Sequence, residues 1–297
     1  MSKRIPALTP KPITQKQVMA NFPKRPRDSH KGMFGSVAVI GGANGMVGAP
    51  LLAGRAALKL GAGCVHVGLL ADSAPCVDLL QPELMLHNAH DILSSTPFAP
   101  SSSKGNSVIA AGCGMGHDLA AQKLLHDALS SGAALVLDAD ALNILALRPD
   151  LRTLLLARKG ATVLTPHPGE AARLLACKIN EVQADRIAAI QQLARRLRCS
   201  VVLKGVDSLC ITRDGKLFVN RTGNPGMSAP GMGDVLAGMI AAFIAQGMSA
   251  DDALLLAVHL HGAAGDALAA QQASIGMTAT EVTEWARWLL NKWAKKC

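Results

Sequence analysis

The sequence predicts a single α/β domain built on one doubly wound, mostly parallel sheet with helices on both faces. Three observations predict it. Short apolar runs that read as strands recur at 36–40, 64–70, 107–111, 134–137, 162–164 and 200–203, and helical stretches such as 50–60, 119–130 and 182–197 alternate with them. Each polar cluster of the chain falls at the carboxyl end of one of these strands, where open α/β sheets bind their ligands near a topological switch point. No linker divides the alternation: the Pro/Ser stretch 94–103 is short and lies inside it. The expected organisation is a basic arm over 1–34 followed by one domain over 35–297.

The arm holds most of the charge. Eight of the lysines and arginines fall in residues 1–31 against Asp28 alone, within a net charge of +9 for the 297 residues. It reads as a solvated tail with a short helix near 13–20, contact with acidic partners being the other reading. Aromatic residues make up only 3% and tyrosine is absent, so a stacking platform for single-stranded nucleic acid is not supplied. Seven cysteines without a C-x-x-C pair read as buried thiols in a reducing compartment, the cytoplasm. Pro6, Pro10 and Pro12 interrupt any signal-peptide core, and no run reaches about 18 apolar residues, so neither a leader nor a membrane span is expected.

From residue 36 onward each strand delivers a loop. The first opens into the glycine-rich loop 41–49 and a helix, 50–60; its spacing does not fit the dinucleotide fingerprint G-x-G-x-x-G. The strand at 107–111 enters the turn Gly112-Cys113-Gly114-Met115-Gly116. The strand at 134–137 delivers Asp138, Asp140 and Asn143, which suit a metal or substrate hydroxyls, or cap the loop. After 162–164 comes Thr165-Pro166-His167-Pro168-Gly169-Glu170. Two prolines hold His167 for contact with a substrate or leave it a surface histidine; Glu170 holds Mg²⁺ through water or completes a helix start. The strand at 200–203 delivers Lys204, Gly205, Val206, Asp207 and Ser208, a turn that carries a cation and a hydroxyl toward nucleotide phosphates or only begins the hairpin 209–212 with 217–220. Helices are expected at 251–270 and 279–295. His259 and His261, two apart on the first of these, face different directions, which disfavours a two-histidine metal site.

The richest stretch is 223–234, Gly-Asn-Pro-Gly-Met-Ser-Ala-Pro-Gly-Met-Gly-Asp, followed by the apolar helix 235–245. The backbone N–H groups of Gly231, Met232 and Gly233, at the positive end of that helix, favour an anion, and Asp234 sits among them as a base. An aspartate here is also a common N-cap.

Several motifs in order resemble a known family across nearly the whole chain. They are His30-Lys31-Gly32-Met33-Phe34-Gly35, the Gly41-Gly42 loop ending Gly48-Ala49, Asp138-Ala139-Asp140-Ala141-Leu142-Asn143, Thr165 to Glu170, Lys204-Gly205, and Gly223 through Asp234. Together they resemble the ADP-dependent NAD(P)H-hydrate dehydratases of the ribokinase-like superfamily. The resemblance implies a ribokinase-like three-layer sandwich and a repair reaction: (S)-NADHX or (S)-NADPHX is dehydrated to NADH or NADPH while ADP becomes AMP and phosphate, with Mg²⁺. It implies Asp234 as catalytic residue, AMP contacts from Lys204 to Ser208 and Gly233, and hydrated-cofactor contacts from Ala49, Gly114, Gly116, His167 and Asp234. It also implies a homo-oligomer and an epimerase on another chain. Met232 stands where the family's Gly-Thr-Gly-Asp has threonine, and Ser228-Ala229-Pro230 where threonine and glycine are usual, so a hydroxyl is missing. The alternatives are a vitamin-type small-molecule kinase, which uses the same anion hole but stops at the phosphorylated product, and a nucleotide-binding protein weak in catalysis.

Overall fold

The computed structural model describes residues 9–94, 98, 106–272 and 274–295, so most of the 94–103 loop lies outside the described residues. The first third contains β1 Lys11–Pro12, α1 Gln15–Met19, β2 Ser36–Gly41, α2 Gly48–Lys59, β3 Cys64–Leu69, β4 Met85–Asn88 and α3 Ala89–Ile92. The middle contains β5 Ser107–Ala111, α4 Leu119–Ser130, β6 Ala134–Leu137, α5 Ala139–Leu147, α6 Pro149–Ala157, β7 Thr162–Leu164, α7 Pro168–Leu175, α8 Ile179–Ala184 and α9 Arg186–Leu197. The last third contains β8 Ser200–Leu203, β9 Ser208–Ile211, β10 Leu217–Asn220, α10 Met232–Ala245, α11 Ala250–Gln271 and α12 Ala279–Ala294.

All ten strands join one sheet in the order β1-β10-β9-β8-β7-β6-β5-β2-β3-β4. The seven strands from β8 to β4 in that order run parallel; β9 is antiparallel to β8 and β10 antiparallel to β9. Because β2 has β3 on one side and β5 on the other, the winding reverses between β2 and β5. That is the switch point, and the glycine loops at 41–49 and 112–116 leave from it.

Alternation along each strand divides the core in two. Val37, Val39, Val108, Ala110 and Val136 face α2, α10, α11 and α12, while Ala38, Ile40, Ile109, Leu135 and Leu137 face α4, α5, α7 and α9. The result is the expected three-layer sandwich. α10 is its central helix: twelve of its fourteen residues are buried, and only Gly233 and Asp234 escape. It lies against α2 so closely that a Cβ on Gly238 would fall 2.1 Å from the Ala53 carbonyl oxygen. α11 is long and apolar enough to cross a membrane by length and composition, but 67% of its apolar window is buried inside the protein, as in a core helix.

Several expectations need correction. The expected helix at 182–197 is two helices, because Asp185 breaks the first and caps the second by accepting from the Ala188 N–H at 2.9 Å. The basic arm is not a solvated tail where it is described. Lys11 and Pro12 pair with β10, Ile13, Val18 and Met19 are buried, and α1 packs on α11. The Arg25 guanidinium bonds Gly61 O at 2.6 Å and lies 3.8 Å over the Phe34 ring. Its apolar residues, spaced between the lysines, supply the reason: the stem buries them and leaves the charges outside. Nor are all the thiols buried; Cys113, Cys199 and Cys210 are, Cys64 and Cys177 are half-buried, and Cys76 is exposed in the loop beyond β3.

Candidate active site

The start of α10 carries no side-chain cap. Gly231, at φ 85°, holds the N-cap position, where a Cβ would also meet Leu52 Cδ1 at 2.5 Å. The first turn therefore keeps its N–H groups free, and Asp234 is one of its residues. Burial pushes the Asp234 carboxyl up to about 6; a hydrogen bond from the Cys113 thiol and the charge of Lys204 pull it down, while Asp138 and Asp140 add to the rise. The carboxylates of Asp234 and Asp138 and the Cys113 sulfur lie within 4.8 Å of one another.

Lys204, at the end of β8, points back into this cluster. Its Nζ lies 2.6 Å from Asp138 Oδ1, an oxygen that also accepts from Thr165 Oγ1 at 2.6 Å. Burial works against the Lys204 charge, but the carboxylates of Asp138 and Glu170 outweigh it and hold the ammonium above its ordinary range. Asp138 makes no side-chain cap hydrogen bond at α5 and is the counter-ion of Lys204. Gly233 passes close by, since a Cβ there would lie 3.2 Å from Lys204 Nζ and 3.4 Å from Asp138 Oδ2. The turn after Lys204 uses Gly205 at φ 136° and Asp207 at φ 50°, and Arg186 holds it by donating to the carbonyls of Leu203, Lys204 and Val206.

On the other side of Asp234 the two switch-point loops interlock. The Gly42 N–H donates to Cys113 O at 3.1 Å and the Ala43 N–H to Gly114 O at 2.7 Å. Gly114, at φ 58°, comes within van der Waals reach of Ala49 and Met46, which brings two expected cofactor contacts side by side. The Gly116 N–H donates to Asp140 Oδ2 at 2.8 Å, and His117 Nε2 lies 3.1 Å from Asp140 Oδ1. Asp140 thus shapes the loop. Asn143 accepts from Arg173 and is likewise structural.

His167 and Glu170 form a capping box at α7. His167 Nδ1 accepts from the Gly169 N–H at 3.0 Å, so the proton of the neutral ring is on Nε2, 3.2 Å from Glu170 Oε1; the His167 N–H donates to Glu170 Oε2 at 2.7 Å. Burial lowers the His167 pKa, with Lys204 helping, and raises that of Glu170 to about 7. The His167 side chain stays half-exposed.

A cavity of about 470 Å³ opens beside the α10 start. The whole Lys204 to Ser208 turn lines it together with Ser228, Met232 and Gly233 and with His261 and Gly262 of α11. The expected nucleotide loop and the expected anion hole therefore share one cavity, and Asp234, next along α10, accepts from the Cys113 thiol of the loop bearing Gly114. Sequence reasoning missed Cys113, Thr165 and Arg186, which act on functional groups only through tertiary contacts. The sole signal for Cys113 was its place in a glycine turn after an apolar strand.

A family model described as NAD(P)H-hydrate dehydratase matches residues 37–287, most of the chain. The chain belongs to the NAD(P)H-hydrate dehydratase family. The ADP-dependent (S)-NAD(P)H-hydrate dehydratase of Neisseria meningitidis is 40% identical over 92% of this chain and 91% of its own length. The bifunctional NAD(P)H-hydrate repair enzyme of Coxiella burnetii is also 40% identical over 93% of this chain, which spans only 54% of that protein. Among solved structures, the ADP/ATP-dependent NAD(P)H-hydrate dehydratase of Bacillus subtilis, co-crystallised with ATP and Mg²⁺, superposes with a TM-score of 0.83 at 29% identity and covers 97% of this chain and all of its own. A ribokinase-like superfamily protein of Enterococcus faecalis gives 0.80 at 28% identity, over 96% of each chain. The dehydratase family thus carries the expected ribokinase-like fold.

Proposed function

We propose that this protein dehydrates the S epimer of hydrated NADH and NADPH and converts ADP to AMP and phosphate as it does so. The observation that carries the reading is Asp234 at an uncapped helix start, directly after Met232 and Gly233 in the cavity of the Lys204 turn and hydrogen-bonded to Cys113 of the Gly114 loop. A base raised to about 6 suits proton transfer near neutrality.

In this mechanism Asp234 takes the proton of the substrate's ring hydroxyl. The freed oxygen forms a bond to the terminal phosphorus of ADP as the bond to the bridging oxygen breaks, releasing AMP. The N–H groups of Met232 and Gly233 and the ammonium of Lys204 hold the charge on the transferred group. The ring nitrogen then donates its electron pair, the carbon–oxygen bond breaks, phosphate leaves, and a proton departs from the neighbouring ring carbon to give the reduced nicotinamide. Hydroxide is a poor leaving group and phosphate a good one, which is why a dehydration consumes a nucleotide.

Lys204, Gly205, Val206, Asp207, Ser208 and Gly231 to Gly233 form the nucleotide side of this reading. Ala49, Gly114, Gly116 and His167 form the hydrated-cofactor side. Mg²⁺ supplies charge neutralisation of the nucleotide's phosphates when bound. Both Glu170 oxygens are engaged by His167, so Glu170 fits an outer position, accepting from water on the ion, and not direct ligation.

The reading places the arm 1–34 and the domain 35–297 in one cytoplasmic protein, supported by six free cysteines among the described residues. A separate epimerase supplies the S epimer, in keeping with relatives that are bifunctional. Assembly into a homo-oligomer rests on the half-exposed Trp288 of α12 beside Trp285, and light scattering tests it. The deciding experiment mixes purified protein, NADHX, ADP and Mg²⁺ and follows the absorbance of reduced nicotinamide. Its appearance in step with AMP is expected; a phosphorylated product without NADH identifies a kinase and overturns the proposal.

A further inference from the structure

Arg186 grips the Lys204 to Ser208 turn from behind. It is the first residue of α9, fixed there by the Asp185 cap, and it does not line the cavity that all five residues of the turn line. Its guanidinium donates to three main-chain carbonyls, Leu203 O at 3.1 Å, Lys204 O at 3.3 Å and Val206 O. Gly205 makes room for it, because a Cβ there would lie 3.2 Å from a guanidinium nitrogen. A planar fork reaches several acceptors at once, which an ammonium on a flexible stem does not. Each trans peptide points its N–H opposite to its C=O. The peptides joining Lys204 to Gly205 and Val206 to Asp207 turn their carbonyls onto Arg186, so the N–H groups of Gly205 and Asp207 point away from it. Neither N–H has a hydrogen-bond partner among the described residues, and both residues are exposed.

We infer that Arg186 is a positioning residue for the nucleotide: by drawing three carbonyls behind the turn, it presents the N–H groups of Gly205 and Asp207 to a phosphate of ADP. The inference rests on the proposed nucleotide side of the site and adds to it the side chain that shapes it. Neighbouring N–H groups in a tight turn that includes a left-handed residue make an anion-binding concavity, and here Gly205 holds φ 136° and Asp207 φ 50°. Carbonyl oxygens facing the same way would repel the phosphate. Lys204 and Gly233 line the same cavity, so the donors of the turn meet the anion hole of α10. Arg186 touches neither the nucleotide nor the reacting atoms and acts through the turn.

Calorimetric titration with ADP and steady-state kinetics test this on the purified full chain, wild type against Arg186→Ala and Arg186→Lys. Loss of amide hydrogen bonds to a charged phosphate predicts ADP affinity about 10- to 100-fold weaker in Arg186→Ala, with KM for ADP rising in step. At saturating ADP kcat should stay within about threefold of wild type, and KM for NADHX should not change, because the turn stands on the nucleotide side. Arg186→Lys keeps the charge but not the fork, so its ADP affinity should stay at least about fivefold weaker than wild type. Added methylguanidinium should restore ADP binding to Arg186→Ala by filling the space behind the turn, and methylammonium should not.

Equal ADP affinity in wild type and Arg186→Ala overturns the inference. So does full recovery by lysine, which marks an effect of charge without the fork. A KM for NADHX that rises as far as that for ADP, unrescued by methylguanidinium, marks a general loss of structure and overturns the positioning role. Should Arg186→Ala fail to fold, Arg186→Lys carries the test, and wild-type ADP affinity in it is the overturning result. A wild type that binds no ADP overturns the functional reading and the inference with it, whereas the other outcomes overturn the inference alone.

Discussion

α7 and α10 both start at the ligand edge of the sheet with an acid in the first turn, and the two acids are held in opposite ways. At α7 the acid turns back on its own helix start: both oxygens of Glu170 meet His167, one at its backbone N–H and one at its ring. At α10 the N-cap is a glycine without a side chain, and Asp234 is left facing the thiol of Cys113 and the ion pair of Asp138 and Lys204. Burial raises both carboxyls, to about 7 and about 6. Their difference lies in occupancy. An acid spent on its own cap stabilises a helix, and an acid released from that duty is available to a substrate.

The largest expected effect breaks the α10 side. Asp234→Asn should lower kcat by about 10²- to 10⁴-fold with ADP binding retained, since it removes a base and leaves the amides. In the wild type, kcat/KM should rise as pH passes about 6 and then level off, because the ionised carboxylate is the active form. The same substitution should stabilise the protein. Asp234 binds its proton more tightly folded than unfolded, where its value is near 3.8, so the folded state loses stability as pH rises from about 4 to about 6. The asparagine variant escapes that loss, worth up to about 3 kcal/mol at pH 8, read as the urea unfolding free energy.

Next in size is the ion pair behind Asp234. Asp138→Asn leaves the ammonium of Lys204 largely buried without its counter-ion and should cost about 3 kcal/mol in urea unfolding. The double variant Asp138→Leu with Lys204→Met should recover much of that while losing ADP affinity.

The smallest effect belongs to α7. His167→Ala removes a helix cap and should cost about 1 kcal/mol of stability. Glu170→Gln should keep kcat within about tenfold of wild type, because its carboxylate serves the cap. A Glu170→Gln loss as deep as that of Asp234→Asn would erase the distinction between the two helix starts.

Much of this was legible along the chain. The strands at 36–40, 107–111, 134–137, 162–164 and 200–203 announced themselves because fully buried parallel strands are continuous apolar runs. β1 and β4 did not. Lys11 and Pro12 are exposed and exist as a strand only because β10 lies beside them, and Met85–Asn88 has no buried face to leave a pattern. α5 and α6 were hidden because their apolar residues run into those of β6, and the positive φ of Ala139 at their junction has no sequence signature. Asp234, Lys204 and the glycine turns were legible as site residues because glycine and charge at strand ends are local signals. Cys113 was not, because it matters only through what stands opposite it.

The sequence by itself determined the alternation of strands and helices, the single domain, and the loop where an anion and a base meet. Periodicity, glycine and helix ends are properties of neighbouring residues, so they survive without the fold. Only the tertiary structure decided which acid is free. Glu170 and Asp234 carry the same local mark. Glu170 finds its partners three residues back, in its own cap, whereas the meeting of β5, β6 and β8 beneath α10 is a long-range fact that fixes where Asp234 finds its own.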